Sequence, residues 1–204
     1  MPPDRTVFVI DDDANLRDSV CALANSMGCC ARGFDSAEAF LAAHAAKERG
    51  VVVVDLRMPG MSGLELQEEL ARRHCRMPVI VLSAYARTPI TVRAMQAGAV
   101  TIIDKPYHDD DLWNAIRAAL EQEEAVWKAE QQRDEILSRI ATLTSEERRV
   151  AELIVAGRAN KSVSHDLGLS LRTIEKRRHD LLMKMKADSV AELVRLWIAA
   201  EAAK

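Results

Sequence analysis

The sequence of 204 residues predicts an α/β fold, a doubly wound five-stranded parallel sheet, followed by a small all-α domain of four helices with a helix-turn-helix. Three observations predict this fold class. Short apolar runs alternate with amphipathic stretches over about the first 120 residues, as five successive βα units require. Several of the apolar runs end directly in acidic or hydroxyl residues. Residues 142–204 show helical spacing and no strand pattern.

The elements of the first domain are predicted from apolar runs and helical spacing. Four consecutive valines, Val51–Val54, are apolar on both faces, as expected for a strand inside a parallel sheet. The other predicted strands are Thr6–Ile10, Val79–Leu82 and Thr101–Ile103. The first predicted helix runs from Leu16 to Met27 and stops at Gly28, and the second starts at a capping box over Asp35–Glu38 and continues through Leu41. The third covers Leu64–Arg73, and the fourth covers Ile90–Gln96 and stops at Gly98.

A long helix is predicted over Asp111–Ile140, where apolar residues recur with broken spacing among charged ones. We interpret it as the last helix of the first domain continuing into a connector. Thr144–Glu147 forms a second capping box, which opens a new helix and places a domain boundary near residue 142. The predicted domains are residues 1–121, a helical linker over 122–141, and residues 142–204.

Composition excludes several classes of protein. No apolar run approaches the roughly 20 residues of a membrane helix, and the amino terminus turns acidic too early for a signal peptide. We therefore expect a cytoplasmic protein with no membrane partner. The four cysteines lack the paired spacing of a zinc site. Residues 1–121 hold 17 acidic against 13 basic residues, whereas residues 142–204 hold 9 against 12, which favours nucleic acid binding by the second domain.

Five polar residues are expected to meet at one edge of the sheet. Ligands bind beyond the carboxyl ends of parallel strands, which is where Asp11, Asp12, Asp55, Ser83 and Lys105 lie. Clustered carboxylates need a cation, and Mg²⁺ typically uses one or two carboxylates together with phosphate. A carboxylate can also attack phosphorus, with Lys105 and Ser83 contacting the phosphoryl oxygens. The acidic run after the first strand, taken alone, would equally fit a helix N-cap or a solvated turn.

Four motifs surround these positions: Val9–Asp12, Asp55–Gly63, Leu82–Ala84 and Lys105–Pro106. Together they resemble the receiver domains of two-component response regulators, which have a flavodoxin-like fold, over residues 1–121. The resemblance implies that Asp55 accepts a phosphoryl group from a sensor histidine kinase, and that Ser83 and Lys105 sense the phosphate. It also implies that Lys105–Pro106 is a cis peptide. The implied Mg²⁺ ligands are Asp11, Asp12, Asp55 and the main-chain carbonyl of Arg57.

One position departs from the family's pattern. Receivers usually carry an aromatic switch residue three positions before the lysine, and here that switch position is Ile102. Tyr107 is no obvious substitute. Any switch at Ile102 is therefore expected to act through backbone and helix shifts. The alternative is a phosphorylation-independent DNA-binding regulator with a silent receiver.

The second domain shows helix-turn-helix spacing in Ser162–Leu167, the turn at Gly168 and the basic segment Leu171–Lys184. Four further motifs, Leu143–Glu147, Ala156–Lys161, Leu169–Glu175 and Ala191–Val194, resemble the LuxR-type DNA-binding domain over residues 142 to about 198. The resemblance implies a recognition helix over residues 171–185 that enters the major groove of double-stranded promoter DNA. It also implies a last helix that supports dimerisation.

The candidate DNA contacts lie mostly on the recognition helix. By position, Lys161, Thr173 and Arg177 should touch the DNA backbone, whereas Glu175, Lys176 and His179 are candidates to read bases. Arg177 replaces the usual histidine, and Glu175 stands where a lysine is frequent, so the target sequence cannot be transferred from relatives. The full candidate set is Lys161, Ser170, Thr173, Glu175, Lys176, Arg177, Arg178, His179 and Lys184.

These expectations combine into a phosphorylation-dependent transcriptional regulator. Phosphorylated Asp55 is expected to favour a state that exposes a dimer surface on the faces around residues 88–120. The homodimer would then present two recognition helices to the two halves of a DNA site. RNA polymerase is a further partner compatible with this role.

Two alternatives concern activity and the linker. An Mg²⁺-dependent aspartyl-phosphate phosphatase would need a second acidic residue after Asp55, where Leu56 and Arg57 stand, so we expect no enzyme activity beyond self-dephosphorylation. The linker could pair with a second copy through Trp127, Ile136 and Leu137, or it could stand as a single solvated helix.

Overall fold

The computed structural model describes residues 6–44, 48–84 and 88–201, with the backbone alone for residues 88–90. The chain divides into two compact units between Val126 and Trp127. Within the described residues, no helix is both long enough and apolar enough to cross a membrane.

The first unit is built on a parallel sheet in the strand order β2-β1-β3-β4-β5. The predicted α/β fold class is confirmed. The strands are β1 (Thr6–Ile10), β2 (Cys30–Phe34), β3 (Gly50–Asp55), β4 (Val79–Ser83) and β5 (Thr101–Asp104). The helices that connect and follow them are α1 (Ala14–Ser26), α2 (Ala37–Ala43), α3 (Gly63–Arg72), α4 (Thr88–Gln96) and α5 (Asp109–Ala141).

Alternate residues of the central strands supply two separate cores. On β1, Val7 and Val9 pack in the core that includes residues of α1 and α5, while Phe8 and Ile10 pack in the core of α2, α3 and α4. This is the period-two alternation of a strand. Because helices cover both faces, β3 is buried at every position, from Gly50 to Asp55.

The start of α2 differs from the predicted capping box at Asp35–Glu38. Ser36 is the N-cap, and its side chain accepts a hydrogen bond from the backbone N–H of Ala39. Glu38 is therefore one position too early to complete the box. Its carboxylate instead accepts a hydrogen bond of 2.9 Å from the backbone N–H of Met61, in the loop after β3.

A buried ion pair fixes α5 to the amino end of β3. The Arg49 guanidinium donates two hydrogen bonds of 2.8 Å to the two carboxylate oxygens of Glu123. The side chains are only 21% and 9% exposed. A bidentate guanidinium–carboxylate pair has a specific geometry. Because this pair is poorly solvated, removal of one partner is costly for the charge that stays.

The second unit is helical, with α6 (Ser145–Val155), α7 (Asn160–Leu167), α8 (Leu171–Met185) and α9 (Val190–Glu201) after the end of α5. The capping box of Thr144 and Glu147 is confirmed. Gly168, with φ of 65°, ends α7 in the left-handed conformation that glycine adopts easily. Ser170 then caps α8.

Two residues predicted to lie in a linker belong to the core of the second unit. Ile136 and Ile140 are each 7% exposed and pack with Leu181, Leu193 and Trp197, among others. Leu137 is half-buried against the same core. The apolar spacing at the end of α5 therefore serves packing within the second unit. The predicted boundaries at residues 121 and 142 stay predictions.

Replacing Glu123 by alanine should lower the free energy of unfolding of the first unit by about 1–3 kcal/mol, because Arg49 would remain largely buried without its carboxylate. Calorimetry of the full chain should show a lower transition temperature for the first unit and an unchanged one for the second. Glu121→Ala, which removes an exposed carboxylate from the same helix, should change stability by no more than about 0.5 kcal/mol. Equal effects of the two substitutions would contradict this role of the ion pair.

Candidate functional site

Three charged side chains converge at the carboxyl edge of the sheet. Asp11 follows β1, Asp55 ends β3 and Lys105 follows β5. The Lys105 ammonium Nζ lies 2.9 Å from Asp11 Oδ2 and 2.5 Å from Asp55 Oδ1, so it donates hydrogen bonds to both carboxylates. The side chains of Asp11, Asp55 and Lys105 are 4%, 10% and 16% exposed. The site is thus a nearly buried cation shared by two carboxylates.

The second carboxylate oxygen of Asp55 is fixed by the loop that follows it. Asp55 Oδ2 accepts a hydrogen bond of 2.6 Å from the backbone N–H of Arg57. The loop then turns back so closely that a Cβ at Gly63 would lie 2.4 Å from the carbonyl oxygen of Asp55. Only glycine fits there, because the two backbones touch. Gly63 therefore lets the loop close over the end of β3.

Asp11 is held by contacts that could not be found from the sequence. Its Oδ1 accepts a hydrogen bond of 2.9 Å from the backbone N–H of Asp13, and its carbonyl oxygen accepts one of 2.9 Å from Arg17 Nη1. Asp13 in turn is the N-cap of α1. The residues of the acidic run therefore have different roles. Asp13 caps α1, as expected if the run is a helix N-cap, and the Asp11 side chain contacts Lys105 in the site. The only sequence signal for Arg17 is its position in the first turns of α1.

The electrostatics of the site keep Lys105 protonated. Burial alone would lower the pKa of its amino group, but the hydrogen bonds and charges of Asp55 and Asp11 outweigh burial and raise that pKa above its usual value. The following peptide bond, Lys105–Pro106, is cis, as predicted. The formal charge of the three groups is −1, so a further cation would be electrostatically favoured at this site.

Two other predicted site residues have different environments. Ser83 is buried at the end of β4, and its carbonyl oxygen accepts the backbone N–H of Lys105 at 2.8 Å. Asp12 is exposed. No three His, Cys, Asp or Glu side chains of the described residues are arranged to hold a metal ion. The donor set is therefore a carboxylate pair, which fits Mg²⁺ with water and phosphate as its other ligands better than a closed protein site.

The predicted switch position and Tyr107 lie on opposite faces of the sheet. Ile102 pairs in register with Val81 and is half-buried against the core of α3 and α4. Tyr107 is half-buried against the other core. Burial raises the pKa of the Tyr107 hydroxyl above its usual value, as do nearby carboxylates, although Lys105 acts in the opposite direction. Tyr107 therefore cannot take the place of an aromatic residue at position 102.

In the second unit, one face of α8 is exposed. Glu175, Lys176 and His179 are exposed, as is Arg172 one turn earlier, and their spacing of three and four residues places them on one side of the helix. The opposite side carries Ile174, Leu181 and Met185 into the core. Thr173 is half-buried, and both its N–H and its hydroxyl contact Ser170 Oγ at the cap. Lys161 is exposed in the first turn of α7.

Three of the predicted DNA-binding cations already contact protein groups. Arg177 Nη2 lies 2.6 Å from Glu146 Oε2. Lys184 Nζ donates to both carboxylate oxygens of Glu147, at 2.6 and 2.8 Å. Arg178 donates a hydrogen bond to Asn160 Oδ1. These three partners lie on α6 and α7. They could not be found from the sequence, because charge composition does not reveal which charges pair.

Two family models match the chain. The model of the response regulator receiver domain matches residues 7–117, and the model of bacterial regulatory proteins of the luxR family matches residues 141–197. Both resemblances predicted from the sequence are therefore confirmed.

Individual relatives match almost the whole chain. The transcriptional regulatory protein FixJ of Azorhizobium caulinodans is 43% identical over 200 residues, which cover 98% of this chain and 95% of that protein. FixJ of Bradyrhizobium diazoefficiens is 40% identical over 93% of each chain. Among solved structures, the response regulator StyR matches with a TM-score of 0.86 and 36% identity over 95% of this chain and 98% of its own. Full-length FixJ from B. japonicum matches with a TM-score of 0.60 and 38% identity over 98% of each.

Replacing Lys105 by methionine should destabilise the first unit at pH 7 and less so at pH 5. Without the ammonium, the two nearly buried carboxylates repel each other in the folded state. This repulsion weakens as pH falls, because protonation of either carboxylate removes one of the two charges. Calorimetry at the two pH values measures this difference, with an expected loss of about 2 kcal/mol at pH 7. Arg117→Met, at an exposed position of α5, is the matched control. A loss that does not change with pH would contradict carboxylate repulsion as its cause.

Proposed function

Since the chain belongs to the FixJ-like two-component transcriptional regulators, which join a receiver domain to a LuxR-type DNA-binding domain, we propose that phosphorylation of Asp55 controls its binding to DNA. The observation that supports this proposal is the contact of Lys105 with both Asp55 and Asp11 at the carboxyl edge of the sheet. We assign the phosphoacceptor domain to residues 1–121, the linker to 122–141 and the DNA-binding domain to 142–204. Because double-stranded promoter DNA is its proposed partner, we propose a cytoplasmic location.

Asp55 is the proposed phosphoryl acceptor. A carboxylate oxygen of Asp55 attacks the phosphorus of a phosphohistidine on the sensor kinase, and the bond from phosphorus to the imidazole nitrogen breaks. The electron pair of that bond stays on the imidazole, which takes up a proton from water. Burial of Asp55 beside Lys105 supports this role, because both the attacking oxygen and the incoming phosphate gain from a fixed cation.

The donor set of the site also fits Mg²⁺. The proposed protein ligands are Asp11, Asp55 and the main-chain carbonyl of Arg57. Asp12, which is exposed, is the fourth proposed ligand. Bound Mg²⁺ would screen the negative charges of the carboxylates and the phosphate. Asp11 and Asp55 are already oriented by the backbone N–H groups of Asp13 and Arg57, so neither carboxylate has to be ordered on binding.

After transfer, Lys105 and Ser83 are the proposed sensors of the phosphate. Lys105 can move its hydrogen bond from an Asp55 oxygen to a phosphoryl oxygen, and the Ser83 hydroxyl can donate to another. Ser83 and Ile102 lie on the neighbouring strands β4 and β5, so a shift of Ser83 can reach Ile102 through the sheet. We propose that the switch acts through these strands without ring rotation.

The switch is proposed to expose a dimer surface around residues 88–120, of which the side chains of 88–90 lie outside the described part of the chain. A dimer would pair two α8 helices, one for each half of a DNA site. Glu175, Lys176 and His179 are the proposed base-reading residues, supported by their shared exposed face. The proposed contacts to phosphate come from Lys161, Thr173, the Ser170 cap, Arg177, Arg178 and Lys184.

A second candidate function is a DNA-binding regulator whose receiver is silent. The half-buried aliphatic Ile102 at the switch position favours it. The relatives are transcriptional regulators, and we propose no enzyme activity for this chain beyond self-dephosphorylation. RNA polymerase stays a proposed partner of the DNA-bound form.

Incubation of the full chain with acetyl phosphate and Mg²⁺ should add one phosphoryl group, which peptide mapping by mass spectrometry should locate at Asp55. Chelation of Mg²⁺ by EDTA should prevent the addition, because the carboxylates would then repel the donor. Light scattering should give the mass of a dimer for the phosphorylated chain. Asp55→Asn should neither gain mass nor dimerise.

Asp18→Asn is the matched control, since Asp18 is an exposed carboxylate on α1, and it should respond as the unsubstituted chain does. Dimerisation of Asp55→Asn in response to the donor would refute control by Asp55 phosphorylation. Equal DNA affinity with and without the donor would favour the silent receiver.

Replacing Glu146 by glutamine should strengthen binding to a duplex of random sequence severalfold, because Arg177 loses its carboxylate partner and can contact a phosphate. The slope of log affinity against log salt should steepen by about 0.9, the value for one added phosphate contact. Fluorescence anisotropy at several salt concentrations measures both quantities. Glu152→Gln removes the same charge from an exposed position of α6 and should leave the slope unchanged. Equal slopes for the two variants would contradict competition between Glu146 and a DNA phosphate for Arg177.

A further inference from the structure

A cysteine, a histidine and a glutamate meet at the amino end of the sheet, the end opposite to Asp55. His44 follows α2, Glu48 precedes β3, and Cys75 lies in the loop between α3 and β4. His44 Nδ1 lies 3.1 Å from Glu48 Oε2, and His44 Nε2 lies 3.9 Å from Cys75 Sγ. The three side chains thus form a continuous line from carboxylate to imidazole to thiol.

Packing holds the histidine in this line. The imidazole of His44 is 8% exposed and stacks on the ring of Phe40, with centroids 5.1 Å apart and planes at 20°. The ring of Phe8 meets it edge-on at 5.7 Å. Glu48 is fixed in turn by Arg32, whose Nη1 donates to Glu48 Oε1 at 2.6 Å. The imidazole therefore cannot turn away from Cys75 without leaving two aromatic contacts.

The hydrogen bond to Glu48 decides which imidazole nitrogen carries the proton. A carboxylate only accepts hydrogen bonds, so the nitrogen that faces it, Nδ1, is the one that donates. Nε2 of the neutral ring then presents a lone pair to the Cys75 thiol. A nucleophile, a base and a carboxylate that orients the base form the arrangement that activates cysteine in many proteins. Cys75 is half-buried and so keeps contact with solvent.

We propose that Cys75 is a base-assisted nucleophilic thiol and a site of oxidation by hydroperoxides. His44 Nε2 accepts the thiol proton, and the Cys75 sulfur attacks the terminal oxygen of the hydroperoxide. The oxygen–oxygen bond breaks, and the leaving oxygen takes its electron pair and the proton from His44. Cys75 is thereby oxidised to a sulfenic acid, and the hydroperoxide is reduced to an alcohol, or to water when it is hydrogen peroxide.

The test is the reaction of the full chain with hydrogen peroxide in the presence of dimedone, which traps sulfenic acids. Mass spectrometry of the peptides gives a separate rate for each cysteine. Cys30 is an internal reference because it is an exposed thiol on β2. Cys75 should react at least about tenfold faster than Cys30, the contribution of a positioned base, although it is the less exposed of the two. A rate at or below that of Cys30 overturns the proposal.

Two variants separate base assistance from simple accessibility. His44→Phe keeps a ring against Phe8 and Phe40 but removes the base, so the Cys75 rate should fall to that of Cys30 or lower. Glu48→Gln should lower the rate by a smaller factor, because the imidazole is then less well oriented. The Cys30 rate should stay the same in both variants. Because Cys30 lies on β2, an unchanged rate indicates that the substitutions leave this strand folded. An undiminished Cys75 rate in His44→Phe overturns the proposal.

Discussion

The shared hydrogen bonds of Lys105 with Asp11 and Asp55 are the interaction on which the first unit depends most. Two carboxylates that are almost removed from water repel each other, and one ammonium group between them offsets that repulsion. The geometry follows from topology, because β1, β3 and β5 are parallel strands of one sheet and bring their carboxyl ends to the same edge. The neighbouring loops then have to close tightly, as Gly63 does against Asp55.

The parts of this site that the sequence predicted are those fixed by strand direction. A residue that ends or directly follows a strand of a parallel sheet lies at the carboxyl edge of that sheet. Asp11, Asp55 and Lys105 could therefore be placed together without a structure. The strands β1, β3 and β4 could be found because their apolar runs are buried on both faces. The half-buried edge strand β5 could be found from its short apolar run before Asp104. The strand β2 was not located, since Cys30–Phe34 is an edge strand with exposed positions and no apolar run.

Side-chain pairing and exact register were beyond the sequence. The capping box at Asp35–Glu38 was wrong by one residue, because Ser36 competes for the cap and Glu38 finds the Met61 backbone instead. The contacts of Arg17 and Glu146 link elements that only folding brings together. Likewise, apolar spacing at Ile136 indicates a buried face but does not say which core will bury it.

The two units share one electrostatic property. Lys105 in the first and Arg177 in the second each hold a protein carboxylate at the position where a phosphate group is proposed to bind. The phosphate affinity at either position therefore depends on the difference in free energy between two ion pairs, one with the carboxylate and one with the phosphate. The cation has to release the carboxylate or contact both groups. At Lys105 the carboxylate partner is Asp55, the proposed acceptor. Phosphorylation of Asp55 replaces its carboxylate charge by that of the attached phosphoryl group, which stays within reach of the ammonium. At Arg177 the carboxylate and the phosphate belong to different molecules and must compete. The first site is thereby suited to a covalent phosphate and the second to a reversible contact that depends on salt.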